Sequence, residues 1–327
     1  MALLEVEGLE VTFPGGTEDA PLRALRGVDL TLEKGERLGI VGESGAGKSM
    51  LGFALLNLVA PPGRITGGTV RFDGKTLTGL RPRQLRRIRG ARISMIFQDP
   101  MVTLNPVMTV GEQLVETLHA HRRISRAKAR RRALEMLEMV QVPAPARRFE
   151  SYPHELSGGL RQRVVIAIAL IAEPEIVIAD EPTTALDVTI QAEIMALLLR
   201  LTREAGVGLI LITHDLGVVA ELTERLMILY AGRVVEEGPT QDLIAAPRHP
   251  YTAGLIAALP QRAERGRPLA QIPGTMPALG EIGEGCAFRP RCDRAFARCY
   301  LELPEPETVP DQPWRAHACY RPLGEEP

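Results

Sequence analysis

The sequence is poor in cysteine and in aromatic residues. Its 327 residues include 4 cysteines and 1 tryptophan, and aromatic residues make up 4% of the chain. All 4 cysteines lie after residue 285, so any site that they build is confined to the C-terminal part. With 45% hydrophobic and 24% charged residues, the chain is expected to be globular, with one large core and an appendage.

Neither an excess of one charge sign nor a long apolar run is present. The net charge of −1 argues against a global electrostatic hold on nucleic acid. The longest apolar candidate, residues 164–179, is interrupted by Glu173-Pro174-Glu175, which predicts no membrane span. Glutamates occupy the first ten residues where a secretory signal would need basic and then apolar residues. We therefore expect a protein of the reducing cytosol.

The most informative stretch is a glycine-rich loop that reads Gly42-Glu43-Ser44-Gly45-Ala46-Gly47-Lys48-Ser49. An apolar strand pattern precedes it, and a helical pattern over residues 50–60 follows it. Glycines let several N–H groups turn toward one anion, and a helix N-terminus adds partial positive charge. Lys48 is expected to reach the β- and γ-phosphates, and the Ser49 hydroxyl to hold Mg²⁺. The loop predicts binding of a nucleoside triphosphate.

Polar side chains also stand directly after three apolar runs that are typical of buried strands. These residues are Gln98, Asp180, Glu181 and His214. Asp180 is expected to hold Mg²⁺ through water, and Glu181 to polarise the attacking water. Gln98 can reach the metal or that water. His214 can sense the γ-phosphate, with an ordinary surface histidine as the alternative.

Two further positions suit a nucleotide site. Ser157-Gly158-Gly159 precedes an apolar helical run and predicts a second anion-binding helix N-terminus, although the same residues suit an ordinary helix start. Phe13 ends an alternating strand and is the aromatic residue best placed to stack on an adenine base; a core phenylalanine is the alternative.

The remaining pattern predicts the frame of the domain. Early strands, including one at residues 67–72, indicate a small antiparallel layer, and residues 226–236 indicate a closing β-meander. Residues 110–142 read as helical, and residues 143–153 as a loop. Six arginines within residues 81–92 indicate a solvated helix face, with a nucleic-acid or lipid patch as the alternative.

Together, these motifs resemble those of ABC-transporter ATP-binding subunits over residues 1–245, which the resemblance makes the nucleotide-binding domain. In chain order they are the Walker A loop at Gly42–Ser49, the Q-loop at Gln98, the signature at Leu156–Gly159, Walker B at Ile176–Asp180 followed by Glu181, the D-loop at Ala185–Asp187 and the switch histidine His214. The resemblance implies an α/β fold: a P-loop NTPase (RecA-like) core with an antiparallel β layer and a helical subdomain. It also implies ATP hydrolysis by Glu181, Gln98 and His214, and Mg²⁺ held by Ser49, Gln98 and Asp180.

The resemblance implies partners as well. In this family, ATP on the Walker A loop of one subunit is capped by the signature of another, here Ser157, Gly158 and Gly159. The signature departs from the usual pattern because Leu160 stands where glutamine is common. That departure resembles one of the two ATPases of dipeptide and oligopeptide permeases, which implies a second, non-identical ATPase subunit. Two transmembrane permease subunits, an extracytoplasmic peptide-binding protein and a peripheral place on the cytoplasmic membrane face are implied with it.

Residues 246–327 resemble the extension of peptide-permease ATPases. The resemblance is carried by Arg248–Thr252, Ile272–Gly274 and the set Cys286, Cys292, Cys299 and Cys319. Four cysteines in one cytosolic tail indicate a metal or iron–sulfur site rather than disulfides, although their spacing does not match ordinary zinc modules. The resemblance to this subfamily implies a [4Fe–4S] cluster held by these cysteines. A Zn²⁺ site and four free buried thiols are the alternatives. His317 is a further candidate ligand or a support for one.

The leading interpretation is an ATPase that powers import of dipeptides or oligopeptides. An importer of nickel or another small solute shares much of the motif set. A soluble ABC ATPase not tied to transport is the alternative from another class, but a single set of motifs without a sustained heptad stretch argues against it.

Overall fold

The computed structural model describes residues 2–15, 21–184, 186–259 and 270–324. Its strands are β1 (Leu4–Phe13), β2 (Leu22–Leu32), β3 (Arg37–Val41), β4 (Arg64–Phe72), β5 (Lys75–Thr76), β6 (Ile93–Ile96), β7 (Ile176–Asp180), β8 (Gly208–Thr213), β9 (Arg225–Tyr230), β10 (Arg233–Pro239), β11 (Glu307–Val309) and β12 (Gln312–His317). Its α-helices are α1 (Lys48–Leu55), α2 (Pro82–Leu85), α3 (Pro100–Thr103), α4 (Val110–His121), α5 (Arg126–Met139), α6 (Pro145–Phe149), α7 (Gly158–Leu170), α8 (Val188–Ala205), α9 (Leu216–Leu222), α10 (Thr240–Ala245), α11 (Pro250–Ala257) and α12 (Ala297–Leu301).

These elements form two compact units. The first unit comprises Met1–Leu32, Arg37–Thr78 and Leu211–Pro327, and the second comprises Glu33–Glu36 and Gly79–Ile210. The division falls inside β8, so the chain passes from the second unit to the first within one buried strand.

In the first unit, a four-stranded sheet runs in the order β2-β1-β4-β5 with antiparallel neighbours. In β1, Leu4 and Val6 are buried before a register shift, and Leu9 and Val11 are buried after it, because alternate side chains of a strand point to one face. The predicted antiparallel layer is confirmed, and its strand near residue 67 begins earlier, at Arg64.

A second set of strands in the first unit runs in the order β11-β12-β10-β9-β3. Strands β3 and β9 are parallel, with Val41 opposite Ile228, and the β9–β10 pair confirms the predicted meander. Strand β12 pairs with β10, with His317 opposite Glu236. The C-terminal extension therefore continues the sheet whose strand β3 leads into the glycine-rich loop.

The second unit contains the parallel pair β6–β7 and the helices α2 to α8. All nine residues of these two strands are buried, as expected for strands covered on both faces. The predicted helical segment at residues 110–142 is two helices. Arg122 has extended backbone at the end of α4, and the Ser125 side chain accepts a hydrogen bond from the Lys128 N–H at the start of α5.

Three local predictions were wrong. The helix after the glycine-rich loop ends at Leu55 rather than residue 60, and Asn57 follows in the left-handed region with φ 52°. Within residues 81–92, only the four residues of α2 are α-helical, and Arg83 is the one arginine among them. The predicted loop at residues 143–153 contains α6. Among the described residues, no helix combines the length and apolar character needed to cross a membrane.

Candidate functional site

The glycine-rich loop lies between β3 and α1, in the order that the sequence predicts. The Lys48 ammonium donates hydrogen bonds to the carbonyl oxygens of Gly42 at 2.8 Å and of Glu43 at 3.0 Å. Lys48 is buried, with 6% exposure, whereas Ser44 and Gly45 are exposed. A buried ammonium beside exposed backbone N–H groups gives the loop the electrostatics of a phosphate site.

Two glycines are required by the shape of this loop. Gly47 caps α1 with φ 101°, a left-handed conformation that costs a residue with a Cβ atom. A Cβ atom on Gly42 would lie 2.3 Å from the carbonyl oxygen of Leu229. The loop can therefore hold this path only with glycine at both positions.

Phe13 lies at the end of β1, in the first unit. Its ring packs so closely on Gly63 that a Cβ atom there would lie 2.7 Å from two ring carbons. The ring is half-buried rather than enclosed. It therefore keeps an accessible surface on which a base could stack.

His214 follows β8 directly, and its side chain is exposed. The next residue, Asp215, caps α9 by accepting hydrogen bonds from the N–H groups of Gly217 and Val218. The start of this helix fixes the backbone beside His214.

In the second unit, Asp180 and Glu181 stand at the carboxyl end of β7, as predicted. Asp180 is buried, with 2% exposure. The Glu181 carboxylate accepts hydrogen bonds from the Gln98 side-chain amide at 3.2 Å and from the Thr184 hydroxyl at 2.9 Å. Glu181 has φ 43°, a strained conformation of the kind that is concentrated at functional sites. The structure thus brings together Gln98 and Glu181, which the sequence only places after separate strands.

The Ser157-Gly158-Gly159 segment begins α7, a helix of 13 residues. Ser157 occupies the N-cap position, but its side chain makes no capping hydrogen bond. Ser157 and Gly158 are exposed, while Gly159 is buried against Ile190, whose nearest atom would lie 2.9 Å from a Cβ atom there. The exposed N-terminus of α7 is suited to an anion presented from outside the chain.

Asp187 caps α8, where its carboxylate accepts a hydrogen bond from the Ile190 N–H at 3.1 Å. The predicted D-loop residue Ala185 lies outside the described residues.

Residues of the C-terminal extension contact the glycine-rich loop, a feature that the sequence pattern did not reveal. The Arg291 guanidinium donates to both oxygens of the Glu43 carboxylate, at 2.5 Å and 2.9 Å. The Tyr251 hydroxyl accepts a hydrogen bond from the Glu43 N–H at 2.8 Å. Tyr251 belongs to the segment 248–252, which carries part of the resemblance to peptide-permease ATPases. The sequence did not indicate that this segment contacts the loop.

The four cysteines line one small cavity of the first unit, together with His249 and Phe288. Burial, with a smaller contribution from the other three thiols, raises the pKa of the Cys319 thiol to about 11. Burial and nearby His317 lower the pKa of His249 to about 3, so its neutral ring accepts a hydrogen bond from the Tyr251 N–H.

The predicted [4Fe–4S] or zinc site is not supported by the described residues as they stand. Within the described ranges, no group of three or more His, Cys, Asp or Glu side chains is arranged to hold a metal ion. The four thiols nevertheless line one cavity. His317 is buried, and within the described part of the chain neither of its ring nitrogens has a hydrogen-bond partner; it is not among the residues that line this cavity.

Comparison with known proteins covers nearly the whole chain. Residues 25–184 match the family described as ABC transporter, and residues 235–299 match the family described as oligopeptide/dipeptide transporter, C-terminal region. The oligopeptide transport ATP-binding protein OppD of Salmonella typhimurium is 48% identical over 99% of this chain and 95% of that protein. The dipeptide transport ATP-binding protein DppD of Escherichia coli is 45% identical over 99% of this chain and 98% of that protein.

A solved structure supports the assignment of the fold. The ATP-binding cassette MJ0796, described as a dimer in a post-hydrolysis state bound to ADP and Pi, has a TM-score of 0.65. The two sequences are 33% identical, and the superposition covers 72% of this chain and 98% of the cassette. The chain therefore belongs to the ABC-transporter family, within the ATP-binding subunits of dipeptide and oligopeptide transporters.

Proposed function

We propose that this chain is the ATP-hydrolysing subunit that powers import of dipeptides or oligopeptides through a membrane permease. The observation that carries the proposal is the combination of a phosphate-type loop with a C-terminal region of the peptide-transporter type in one chain. Relatives named as peptide-transport ATP-binding proteins span the same length. Within this proposal, residues 1–245 are the nucleotide-binding domain and residues 246–327 are the peptide-permease-type extension.

The nucleotide contacts follow from the loop and the motif order. The phosphates of ATP are held by the loop residues Gly42, Ser44, Gly45, Gly47, Lys48 and Ser49, and Phe13 stacks on the adenine. Ser49, Gln98 and Asp180 hold Mg²⁺, which supplies charge neutralisation at the β- and γ-phosphates. The support is the buried Lys48 and Asp180, and the accessible ring of Phe13.

Hydrolysis is assigned to the pair formed by Glu181 and Gln98, with His214 sensing the γ-phosphate. A carboxylate held by two donors is oriented to accept a proton from an attacking water. The hydrogen bonds from Gln98 and Thr184 fix the Glu181 carboxylate in this way.

A complete site needs a second, non-identical ATPase subunit. Ser157, Gly158 and Gly159 cap the ATP held by the partner, and Asp187 lies in the same interface. The support is the exposed N-terminus of α7, together with a Ser157 side chain that does not cap its own helix. ATP thereby binds the closed dimer more tightly than the open one, and this difference in affinity drives the permease.

The permease surface is assigned to the start of the helical region. Met101, Val102 and Val107 are 52%, 84% and 78% exposed, and such grouped apolar side chains mark interaction sites. Two transmembrane permease subunits would dock here, holding the chain on the cytoplasmic face of the membrane. An extracytoplasmic peptide-binding protein would deliver the solute.

Substitution of both Val102 and Val107 by aspartate should reduce peptide uptake at least about tenfold, because two carboxylates would have to be buried in an apolar interface, at a cost above the roughly 1.4 kcal/mol that corresponds to tenfold. Uptake of labelled peptide into vesicles holding the complete transporter measures this, with ATP hydrolysis by the isolated ATPases as the second readout. We expect that hydrolysis to be retained. Leu301→Asp is the matched control, since Leu301 is equally exposed at 72% but lies in the extension.

Two results would contradict the proposed function. Nickel uptake without peptide uptake would assign the chain to another importer. Full ATP hydrolysis with no association with a permease would assign it to a soluble ABC ATPase.

We also propose that Cys286, Cys292, Cys299 and Cys319 hold a [4Fe–4S] cluster, with Zn²⁺ as the alternative. The support is that all four thiols line one cavity, where burial raises the pKa of Cys286, Cys292 and Cys319, a cost that a bound cation removes. Protein purified without oxygen should show a broad visible absorption band and about four irons per chain. One zinc and no colour would favour Zn²⁺, and neither metal would leave free buried thiols; Cys299→Ser should lower the metal content in either metal case.

A further inference from the structure

Glu43 of the glycine-rich loop is bound through its backbone and through its side chain. Its carbonyl oxygen accepts from Lys48 at 3.0 Å, its N–H donates to Tyr251 at 2.8 Å, and its carboxylate accepts two bonds from Arg291. Two of these three groups are bound by residues that lie more than 200 positions later in the chain. Glu43 therefore joins the lysine of the phosphate loop to the C-terminal extension.

The contact with Arg291 is of the strong kind. Both carboxylate oxygens are engaged in a bidentate pair, and the Arg291 side chain is 4% exposed while that of Glu43 is 30% exposed. The hydrogen bond with Glu43 raises the pKa of Arg291. Low exposure limits the competition from water that makes surface ion pairs weak.

Arg291 is itself fixed by the extension. Its Nε atom donates to the carbonyl oxygen of Pro273 at 2.8 Å, and its guanidinium lies over the Phe288 ring at 5.9 Å. The next residue, Cys292, and nearby Cys286 line the cysteine cavity. The position of the guanidinium thus depends on the fold of the cysteine-bearing segment.

Tyr251 is fixed in the same way. It is completely buried, and its ring contacts Tyr230 and Phe288 with ring centres 4.6 Å and 5.4 Å apart. Burial raises the pKa of the Tyr251 hydroxyl, which stays protonated at physiological pH. Its oxygen accepts a hydrogen bond from the Glu43 N–H, so the extension fixes the backbone at the start of the loop.

We propose that Arg291 and Tyr251 are positioning residues for ATP binding, which act by holding Glu43, whose carbonyl oxygen accepts a hydrogen bond from Lys48. The inference rests on the proposed assignment of the Gly42–Ser49 loop to the phosphates of ATP. It adds that the extension influences the affinity of the loop for ATP, so that a structural change in the cysteine-bearing segment alters that affinity.

The test is the effect of Arg291→Ala on ATP binding and turnover. We expect the Kd for ATP, measured by calorimetry, and the KM for ATP to rise about tenfold, with kcat changed less than about twofold, because Glu43 loses its bidentate partner while the residues assigned to hydrolysis keep their contacts. Arg291→Lys keeps the positive charge but cannot bind both carboxylate oxygens of Glu43 in the same way. Its affinity for ATP should lie between those of Arg291→Ala and the unchanged protein. Arg298→Ala is the control, since Arg298 forms an exposed ion pair with Glu302 in the same extension and should leave KM unchanged.

A double-mutant cycle separates positioning from general stability. Glu43→Ala and Arg291→Ala should each raise KM, and the double variant should raise it little further, because both remove one contact. Tyr251→Phe provides a second route if Arg291→Ala does not fold, since it keeps the ring packing and removes only the hydroxyl. An unchanged KM in Arg291→Ala or Tyr251→Phe, or additive effects in the cycle, would overturn the proposal.

Lys48→Ala distinguishes this inference from the function on which it rests. Loss of ATP binding in Lys48→Ala, together with an unchanged KM in Arg291→Ala, would contradict only the positioning role of Arg291. Unimpaired ATP binding in Lys48→Ala would sink the assignment of the loop itself.

Discussion

Replacing Glu181 by glutamine should reduce ATP turnover by about 10²- to 10⁴-fold, the usual contribution of a positioned general base. The carboxylate is held by Gln98 and Thr184 on a strained backbone, so a glutamine there keeps the size and the contacts but cannot accept a proton. ATP binding should be retained, because the phosphates are assigned to the glycine-rich loop. The variant should therefore trap ATP and lengthen the life of the closed dimer.

Turnover is measured as phosphate release in the assembled transporter, and dimer lifetime by size-exclusion chromatography with MgATP. Glu193→Gln is a suitable control, because Glu193 lies on the exposed surface in an ion pair with Arg163 at 3.1 Å. That control should hydrolyse ATP normally. Turnover unchanged in Glu181→Gln would remove Glu181 from its assigned role in hydrolysis.

The sequence predicted well where function depends on local pattern. The glycine-rich loop, the run of buried residues in β7 and the two acids at its carboxyl end can be recognised from residues within a few positions of one another. Buried parallel strands are continuous apolar runs, and a phosphate loop needs glycine at set spacings, so both can be recognised in the sequence. The pairing of Gln98 with Glu181 could be anticipated only as two strand ends, because no local pattern records which ends are neighbours.

The contacts of Glu43 could not be predicted from the sequence. Its partners Arg291 and Tyr251 come from a tail whose segments were marked by resemblance rather than by chemistry. An arginine in a tail rich in proline and arginine reads as solvated, and only tertiary packing shows it to be 4% exposed. The helix breaks at Asn57 and Arg122 were missed for a related reason, since apolar periodicity alone does not mark helix ends.

The extension is also joined to the sheet by a buried ion pair, and its loss should cost more stability than any surface contact. Glu236 of β10 has 0% exposure and accepts hydrogen bonds from the Arg315 guanidinium at 3.0 Å and from the N–H groups of Arg248 and His249 at 2.8 Å and 2.9 Å. Arg315 is 3% exposed. One carboxylate thus satisfies three donors, two of which begin the extension and one of which lies on β12.

Glu236→Ala should therefore lower the free energy of unfolding by about 3–5 kcal/mol, because it removes the charge partner of a buried guanidinium and the acceptor of the Arg248 and His249 N–H groups. Urea unfolding followed by circular dichroism measures this change. Glu305→Ala is the matched control: Glu305 also links the extension to β10, through Arg233 at 3.2 Å, but its side chain is 75% exposed and the expected loss is below about 1 kcal/mol. Equal losses in the two variants would show that burial of Glu236 is not what joins the extension to the sheet.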